Sequence, residues 1–490
     1  MATAAALPPA LPAAPTRYPG AQPFTDCDLA RKLFSGREQE SVTLTHQILA
    51  HRLVVLFARS GLGKTSLLNA GVLEGLRAKG LLPLMVRLND ADRGALASLY
   101  ACLKTDCALH GIEYVPGDDR SLWHFFKTAE FWKDDLLLEP VLILDQFEEL
   151  FTLQSEQRRQ AFIAELSFLA RGVQPELPDG AAPGPALSGT PPRIKIVISM
   201  REDFLANVEE LSDRIPEILD NRFRLLPLGR AAAASAIERP SAVEDAALAT
   251  APFRIGEDAK EVILDFLQRR VSAARGTSSA QIEPFQLQLI CQYLEELSQR
   301  LPASPSARVL SVADIGGEPK LRRIIKEFYR RQLKAVPLLQ RHWVRVLCSE
   351  SLISPGGRRL RMEESEIKRL TGVRADTLRL LVERRLLRAE PSDSGTYYEL
   401  SHDSLIAPVL DARRAWFLFR SLLLCVMLLF GTLLFVIFMG GTFAAMLSKV
   451  ELSATYVFLT LFAISLGWGG VSWMRRKFRE IAETWRRLRS

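Results

Sequence analysis

Leu53-Val54-Val55-Leu56-Phe57 runs without a break into Ala58-Arg59-Ser60-Gly61-Leu62-Gly63-Lys64-Thr65, and a helical stretch, 64–79, follows at once. So short an apolar run reads as a strand buried on both faces, and such strands belong to parallel sheets covered by helices. The two glycines let the backbone curl so that several N–H groups point at one spot, and the helix that opens there adds its positive end. The junction therefore demands an α/β fold with an anion cradle at the carboxyl edge of a sheet. In that cradle Lys64 is expected to reach the β- and γ-phosphates of a nucleotide, and the Thr65 hydroxyl to bind Mg2+. Ser60, Gly61, Leu62, Gly63 and Ser66 complete the loop, and Ala58 replaces the usual first glycine.

Further apolar runs at Leu82–Leu88, Val141–Leu144, Ile194–Met200 and Phe223–Leu226 alternate with helical stretches. They predict a P-loop NTPase core over 23–229, a parallel sheet with helices on both faces. Within it 171–193 carries six prolines and four glycines and reads as a flexible loop. Residues 230–335 read as a helical lid, with apolar residues at helical spacing in Glu257–Arg270 and Pro284–Gln299. Residues 336–415 read as a winged-helix domain: short helices, then Arg384–Arg388, a turn at Pro391–Gly395 and the strand Tyr397–Leu400. The Ala/Pro-rich 1–22 reads as a disordered tail.

Two more constellations carry chemistry. The strand Val141–Leu144 ends in Asp145, where the carboxyl edge of an α/β sheet binds its ligand, and Asp145 is expected to hold Mg2+ through water. Glu148 and Glu149 follow, either of which can orient an attacking water; acids also favour helix starts. Arg201, at the end of Ile194–Met200, is expected to sense the γ-phosphate or to pair with Asp203.

In this order the motifs resemble the STAND class of NTPases, in particular the bacterial novel STAND NTPases. Tyr18-Pro19-Gly20, Pro23-Phe24 and Phe34-Ser35-Gly36-Arg37-Glu38 resemble the family's lead-in, which runs under the adenine. Asp145–Phe151 and Arg201–Phe204 continue the likeness. Leu226-Pro227-Leu228 and Glu238-Arg239-Pro240 fit the strand end and lid entry that follow. Pro284–Leu289 is similar to a lid helix whose proline packs near the adenine. Leu400–Leu405 is similar to the winged-helix His-Asp motif, whose histidine contacts the ADP β-phosphate and holds the inactive state. The resemblance covers residues 18–412. It implies ATP/ADP with Mg2+ as ligands and nucleotide contacts from Gly36, Arg37, Pro284 and His402. It also implies a conformational switch with slow hydrolysis that assembles into homo-oligomers. Arg222, before the last core strand, is read as a surface arginine.

Composition places what remains. The six cysteines form no CxxC pair, which points to reduced thiols and away from a disulfide framework or zinc site. The net charge is +7, and it gathers at the carboxyl-terminal end. Residues 475–490, read as a basic cytoplasmic tail, hold seven basic side chains against two acidic ones, and Arg413, Arg414 and Arg420 add three more. Between them Ser421–Met439 and Leu452–Trp473 are uncharged, so 416–474 is expected to be a transmembrane hairpin with lipid as a partner. By the positive-inside rule this makes the chain a multi-pass inner-membrane protein with cytoplasmic NTPase region and termini. The basic stretch Arg358–Arg388 is interleaved with Glu363, Glu364, Glu366 and Glu383 and reads as a solvated, self-paired face, which disfavours nucleic acid. The function expected is a membrane-anchored ATP/ADP signalling switch in bacterial defence or stress signalling. The alternative is an ATPase subunit powering a membrane transport or remodelling machine.

Overall fold

The computed structural model describes residues 15–88, 95–176, 187–275, 281–300, 308–356, 359–392, 395–402 and 405–414, with isolated positions between 416 and 435. The chain divides into units 1–413 and 414–490, and every residue discussed below as part of a site belongs to the first.

Strand β1 (Leu53–Ala58) is buried along its whole length. Successive side chains point to opposite faces, and each face has its own cover. Val54, Leu56 and Ala58 pack with Leu44 and Ile48 of helix α1 (Glu38–Ala50) and with Leu67, Leu68 and Val72 of the helical residues 64–77. Leu53, Val55 and Phe57 pack on the other side with Leu99 and Leu103, from helix Ala95–Leu109, and Phe162 and Leu166, from helix Glu156–Arg171. Unbroken apolar strands are thus the consequence of two helical layers.

β1 is joined by β2 (Leu81–Arg87), β3 (Glu139–Asp145), β4 (Lys195–Arg201) and β5 (Arg222–Arg224) in the order β2-β3-β4-β1-β5, all parallel. The expected α/β parallel sheet is present. Because β4 lies between β1 and β3, the register sets Arg201 beside Ala58 and Asp145 beside both Ser199 and Arg87. Residues 54 to 143 positions apart therefore meet at one sheet edge. A small antiparallel sheet of Glu113–Val115, Glu130–Lys133 and Leu136–Leu137 is inserted between β2 and β3. Strands of two to four residues are too short to show a period, so the sequence did not announce it.

Beyond the sheet, helices α2 (Arg230–Ala242), α3 (Glu257–Arg275), α4 (Pro284–Arg300) and α5 (Gly317–Ala335) share a core that includes Ile237, Ile263, Leu287, Ile290 and Ile324. A second stripe of α4, Phe285 and Leu289, enters a different core. There it meets Phe328 of α5, Ile367 of α6 (Glu364–Thr371), Leu378 of α7 (Ala375–Glu383), and Leu387 and Leu400. The last two come from an antiparallel sheet of β6 (Met362–Glu363), β7 (Leu387–Ser392) and β8 (Gly395–Leu400), ordered β6-β8-β7.

Two expectations are corrected. Residues 15–22 are not a disordered tail. Arg17 and Tyr18 are fully buried. The Arg17 guanidinium donates to the carbonyls of Pro240, Val243 and Thr250 and to Thr250 Oγ1. The backbone N–H groups of both residues donate to the Glu295 carboxylate, and the Tyr18 hydroxyl to the Ile237 carbonyl. Composition averages over a segment and hides one satisfied buried arginine; residues 1–14 lie outside the described residues.

The second correction concerns the membrane. Among the described residues no helix is long and apolar enough to cross one, so the transmembrane hairpin, the lipid partner and the inner-membrane placement do not stand. Hydropathy registers apolar residues wherever they fall, whereas a span also needs one continuous helix of about 20 residues, and no described helix supplies it. Most of 416–490 lies outside the described residues, as does 177–186 of the expected loop.

Candidate functional site

A cavity of about 330 Å³ opens at the carboxyl edge of the sheet, within the range of small-molecule sites. Its floor is the loop 60–66. Gly61 and Gly63 take φ of +82° and +91°, the left-handed region that side-chain-bearing residues avoid. A Cβ on Gly63 would meet nothing within 4 Å, so this glycine answers to the backbone curl, and the space beside it is open. Lys64 Nζ stands 3.4 Å from the Ala58 carbonyl oxygen. Burial lowers its pKa, while Glu148 and Asp145 act in the opposite sense.

Asp145 is fully buried at the end of β3. Thr65 Oγ1 donates to its Oδ2 at 3.0 Å, Ser199 Oγ donates to its Oδ1 at 2.8 Å, and the Arg87 guanidinium is 3.4 Å from Oδ2. A hydroxyl and a carboxylate side by side, next to a phosphate cradle, fit Mg2+, which takes one or two protein oxygens and draws the rest from phosphate and water. Among the described residues no cluster of three or more His, Cys, Asp or Glu could hold a metal without such help.

After Asp145 the chain turns sharply. Gln146 has φ +58° and the Phe147 N–H donates to the Ser199 carbonyl at 2.9 Å. This delivers Glu148 and Glu149 to the cavity, both buried. They are not equivalent. Glu148 accepts from the Arg201 N–H at 3.1 Å and from Arg388 on β7 at 3.2 Å. Glu149 stands 3.8 Å from Arg388, and its Oε2 has no hydrogen-bond partner among the described residues. Burial pushes its carboxyl up to about 8, against the pull of Arg388, so at neutral pH Glu149 is mostly protonated and a poor base.

Arg201 ends β4 and lines the cavity. Of the two alternatives raised for it, the pairing with Asp203 is present. Its guanidinium pairs with Asp203 at 2.6 and 3.0 Å, and also with Glu399 of β8 at 2.8 Å. Arg37 is buried, donating to the Leu226 carbonyl at 2.8 Å and pairing with Glu40 at 2.6 Å. It braces the loop against the end of the sheet. Pro284 opens α4 at the cavity wall. The His402 ring stacks on Phe285 with centroids 3.9 Å apart, and a Cβ on Gly61 would come within 2.2 Å of its Nδ1. Burial first, then Arg359, Arg385 and Arg388, lowers its pKa to about 3, so the imidazole is neutral with a single N–H.

All the expected site residues line this cavity except Gly36. Gly36 answers to crowding: at φ +85° a Cβ would stand 2.2 Å from the Ala232 carbonyl oxygen, and the glycine lets the lead-in pass helix α2. The self-paired face expected at 358–388 is also corrected. Arg385 and Arg388 line the cavity, and Arg359 reaches Glu399 at 3.3 Å. Sequence reasoning missed Arg87, Arg359, Arg385, Arg388 and Glu399, because their partners are far away in the chain. Arg222 is exposed, as expected.

A parallel sheet whose strand ends carry a glycine-curled lysine loop, a buried acid and an arginine defines a P-loop nucleoside triphosphatase. Residues 17–413 match the Novel STAND NTPase 1 family, and the chain belongs to it. That membership implies a nucleotide and typically Mg2+. The chain is similar in structure to the ORC2 protein of Aeropyrum pernix in ADPNP–ADP complexes, at 16% identity and TM-score 0.37, over 77% of this chain and 95% of that one. It is also similar to Cdc6p from Pyrobaculum aerophilum, at 14% identity and TM-score 0.36, over 76% and 93%. A Walker-type ATPase of Pyrococcus abyssi aligns at 13% identity and TM-score 0.36, over 79% and 98%. No curated protein matches the chain.

Proposed function

We propose that the protein is an ATP/ADP-operated signalling switch with slow ATP hydrolysis, built from an NTPase core over 23–229, a helical lid over 230–335 and a winged-helix module over 336–415. The observation that carries the reading is a crossed pair of charges. The core acid Glu148 pairs with the module's Arg388, and the core arginine Arg201 pairs with the module's Glu399.

In this reading the loop N–H groups and Lys64 hold the phosphates, and Thr65 and Asp145 hold Mg2+. Mg2+, when bound, neutralises charge developing between the outer phosphates. Glu148 orients the attacking water, and Arg201 contacts the γ-phosphate. While the module holds both of these residues, hydrolysis is slow. His402, stacked between Phe285 and the loop, donates its one N–H to the β-phosphate and ties the module to the diphosphate state. The γ-phosphate must favour the module-released state, since a ligand that binds both states equally shifts nothing. Released protomers then associate into homo-oligomers.

The test is a nucleotide-content and native-mass measurement on purified wild type beside Lys64→Ala. Wild type is expected to carry ADP as a monomer and to grow in mass on exchange to ATP, with slow turnover. Fast unstimulated hydrolysis with no retained nucleotide would overturn the switch in favour of a working motor.

A further inference from the structure

Arg385 differs from the other arginines around the cavity. Arg37, Arg87, Arg201 and Arg388 each pair with a carboxylate: Glu40, Asp145, Glu399 and Glu148 respectively. Arg385 pairs with none among the described residues. Its hydrogen bond is to an amide, Nε donating to Gln22 Oε1 of the lead-in at 3.0 Å. Gln22 and Arg385 both line the cavity, so the contact crosses from the lead-in to the turn between α7 and β7.

The turn is built to hold this side chain in place. Arg385 has φ +57°, a conformation uncommon outside glycine. Its N–H donates to the Val382 carbonyl at 2.9 Å, and its own carbonyl accepts from Ser401 Oγ at 2.5 Å. Ser401 adjoins His402, which lies on the loop. The neighbours of the Arg385 guanidinium are cations: burial lowers its pKa first, and then Arg87 and Arg388 lower it further. Arg87 and Arg388 line the same cavity as Arg385, and they already engage Asp145 and Glu148. A cation beside a phosphate cradle with no carboxylate partner among the described residues can take an anion, and a guanidinium whose other two nitrogens bond no described residue suits a phosphate bidentately.

We propose that Arg385 binds the terminal phosphate of the bound nucleoside diphosphate, delivered in cis by the C-terminal module, with Gln22 holding its Nε so that the remaining nitrogens face the cavity. The inference rests on the nucleotide-binding reading above and deepens it. It makes closure of the module depend on the number of phosphates.

The test is equilibrium titration of the full chain with ADP, AMP and inorganic phosphate, wild type beside Arg385→Gln, Arg385→Lys and Gln22→Ala. Arg385→Gln is expected to weaken ADP about tenfold and to leave AMP within about twofold. Arg385→Lys keeps the charge without the bidentate fork and is expected to fall between wild type and Arg385→Gln, and Gln22→Ala loses less than Arg385→Gln. Limited proteolysis gives an independent readout: ADP protects 336–413 in wild type and fails to do so in Arg385→Gln. Unchanged ADP affinity in Arg385→Gln, or equal loss for ADP and AMP, overturns the inference. Competition by inorganic phosphate alone, as tight as ADP, would reassign the site to free phosphate. A wild type that binds neither nucleotide fails the underlying reading, and this inference with it.

Discussion

The cavity has two walls of different construction. The sheet wall carries Lys64, Thr65, Asp145 and Arg201 on strand ends or directly after one, and the strands are locked by parallel ladders and buried on both faces. The module wall carries Arg385, Arg388, Glu399 and His402 on a small antiparallel sheet and its flanking turns. It meets the sheet wall through ion pairs and sets the His402 ring against Gly61 of the loop. Packed cores are stiff, whereas a wall held by buried ion pairs depends on each charge keeping its partner. In the proposed switch the difference gives the chemistry to one wall and control over it to the other.

Four measurements test that division. The largest effect is expected on the sheet wall: Lys64→Ala should weaken ATP and ADP about 100-fold, read by titration. A loss under tenfold would mean that the sheet wall is not the anchor.

Glu149→Gln comes next. The folded-state pKa of about 8 lies above the usual carboxyl value of 4.5, so between those values the folded chain holds a proton that the unfolded chain has lost. Stability should therefore fall as pH rises through the window, by up to about 1.4 kcal/mol per unit, and the glutamine variant should flatten the dependence. Parallel melting curves for the two proteins from pH 5 to 8 would remove Glu149 as the cause.

On the module wall, Glu399→Gln removes the charge that holds Arg201 and Arg359 and should loosen the module by about 2 kcal/mol. The readouts are new protease cleavage within 336–413 and faster ATP turnover; if neither changes, the crossed pairs are not a restraint.

His402→Gln should act least and in the opposite pH direction. A folded pKa of about 3 below the usual 6.5 means that stability is lost as pH falls below 6.5, by about 1–2 kcal/mol at pH 5. The variant should lack that loss in melts at pH 5 and 7.

The two walls were also unequally legible from sequence. The glycine loop, the acid after an apolar run and the arginine after another each sit within a few residues of the strand that positions them, so local pattern suffices. The crossed pairs join residues 240 and 198 positions apart, and no local spacing encodes them. That is why Arg385 and Arg388 looked like part of a solvated face. Gly36 was placed correctly in its motif and given the wrong cause, because a glycine required by a nearby carbonyl and one required by a ligand look alike in sequence. The apolar runs at 421–439 and 452–473 lie mostly outside the described residues, among which no helix is long and apolar enough to cross a membrane.

The seat of Arg17 has a consequence for how the molecule is made. Its N–H bonds Glu295 across 278 residues, and its guanidinium bonds carbonyls between 240 and 250. At a synthesis rate of about 5–20 residues per second, residue 17 leaves the ribosome roughly 15–55 s before its partner is made. Residue 17 must therefore wait, unpaired, while the sheet behind it folds. The segment around it is among the last to settle, and the lead-in closes over the cavity only after helices α2 and α4 exist to receive it.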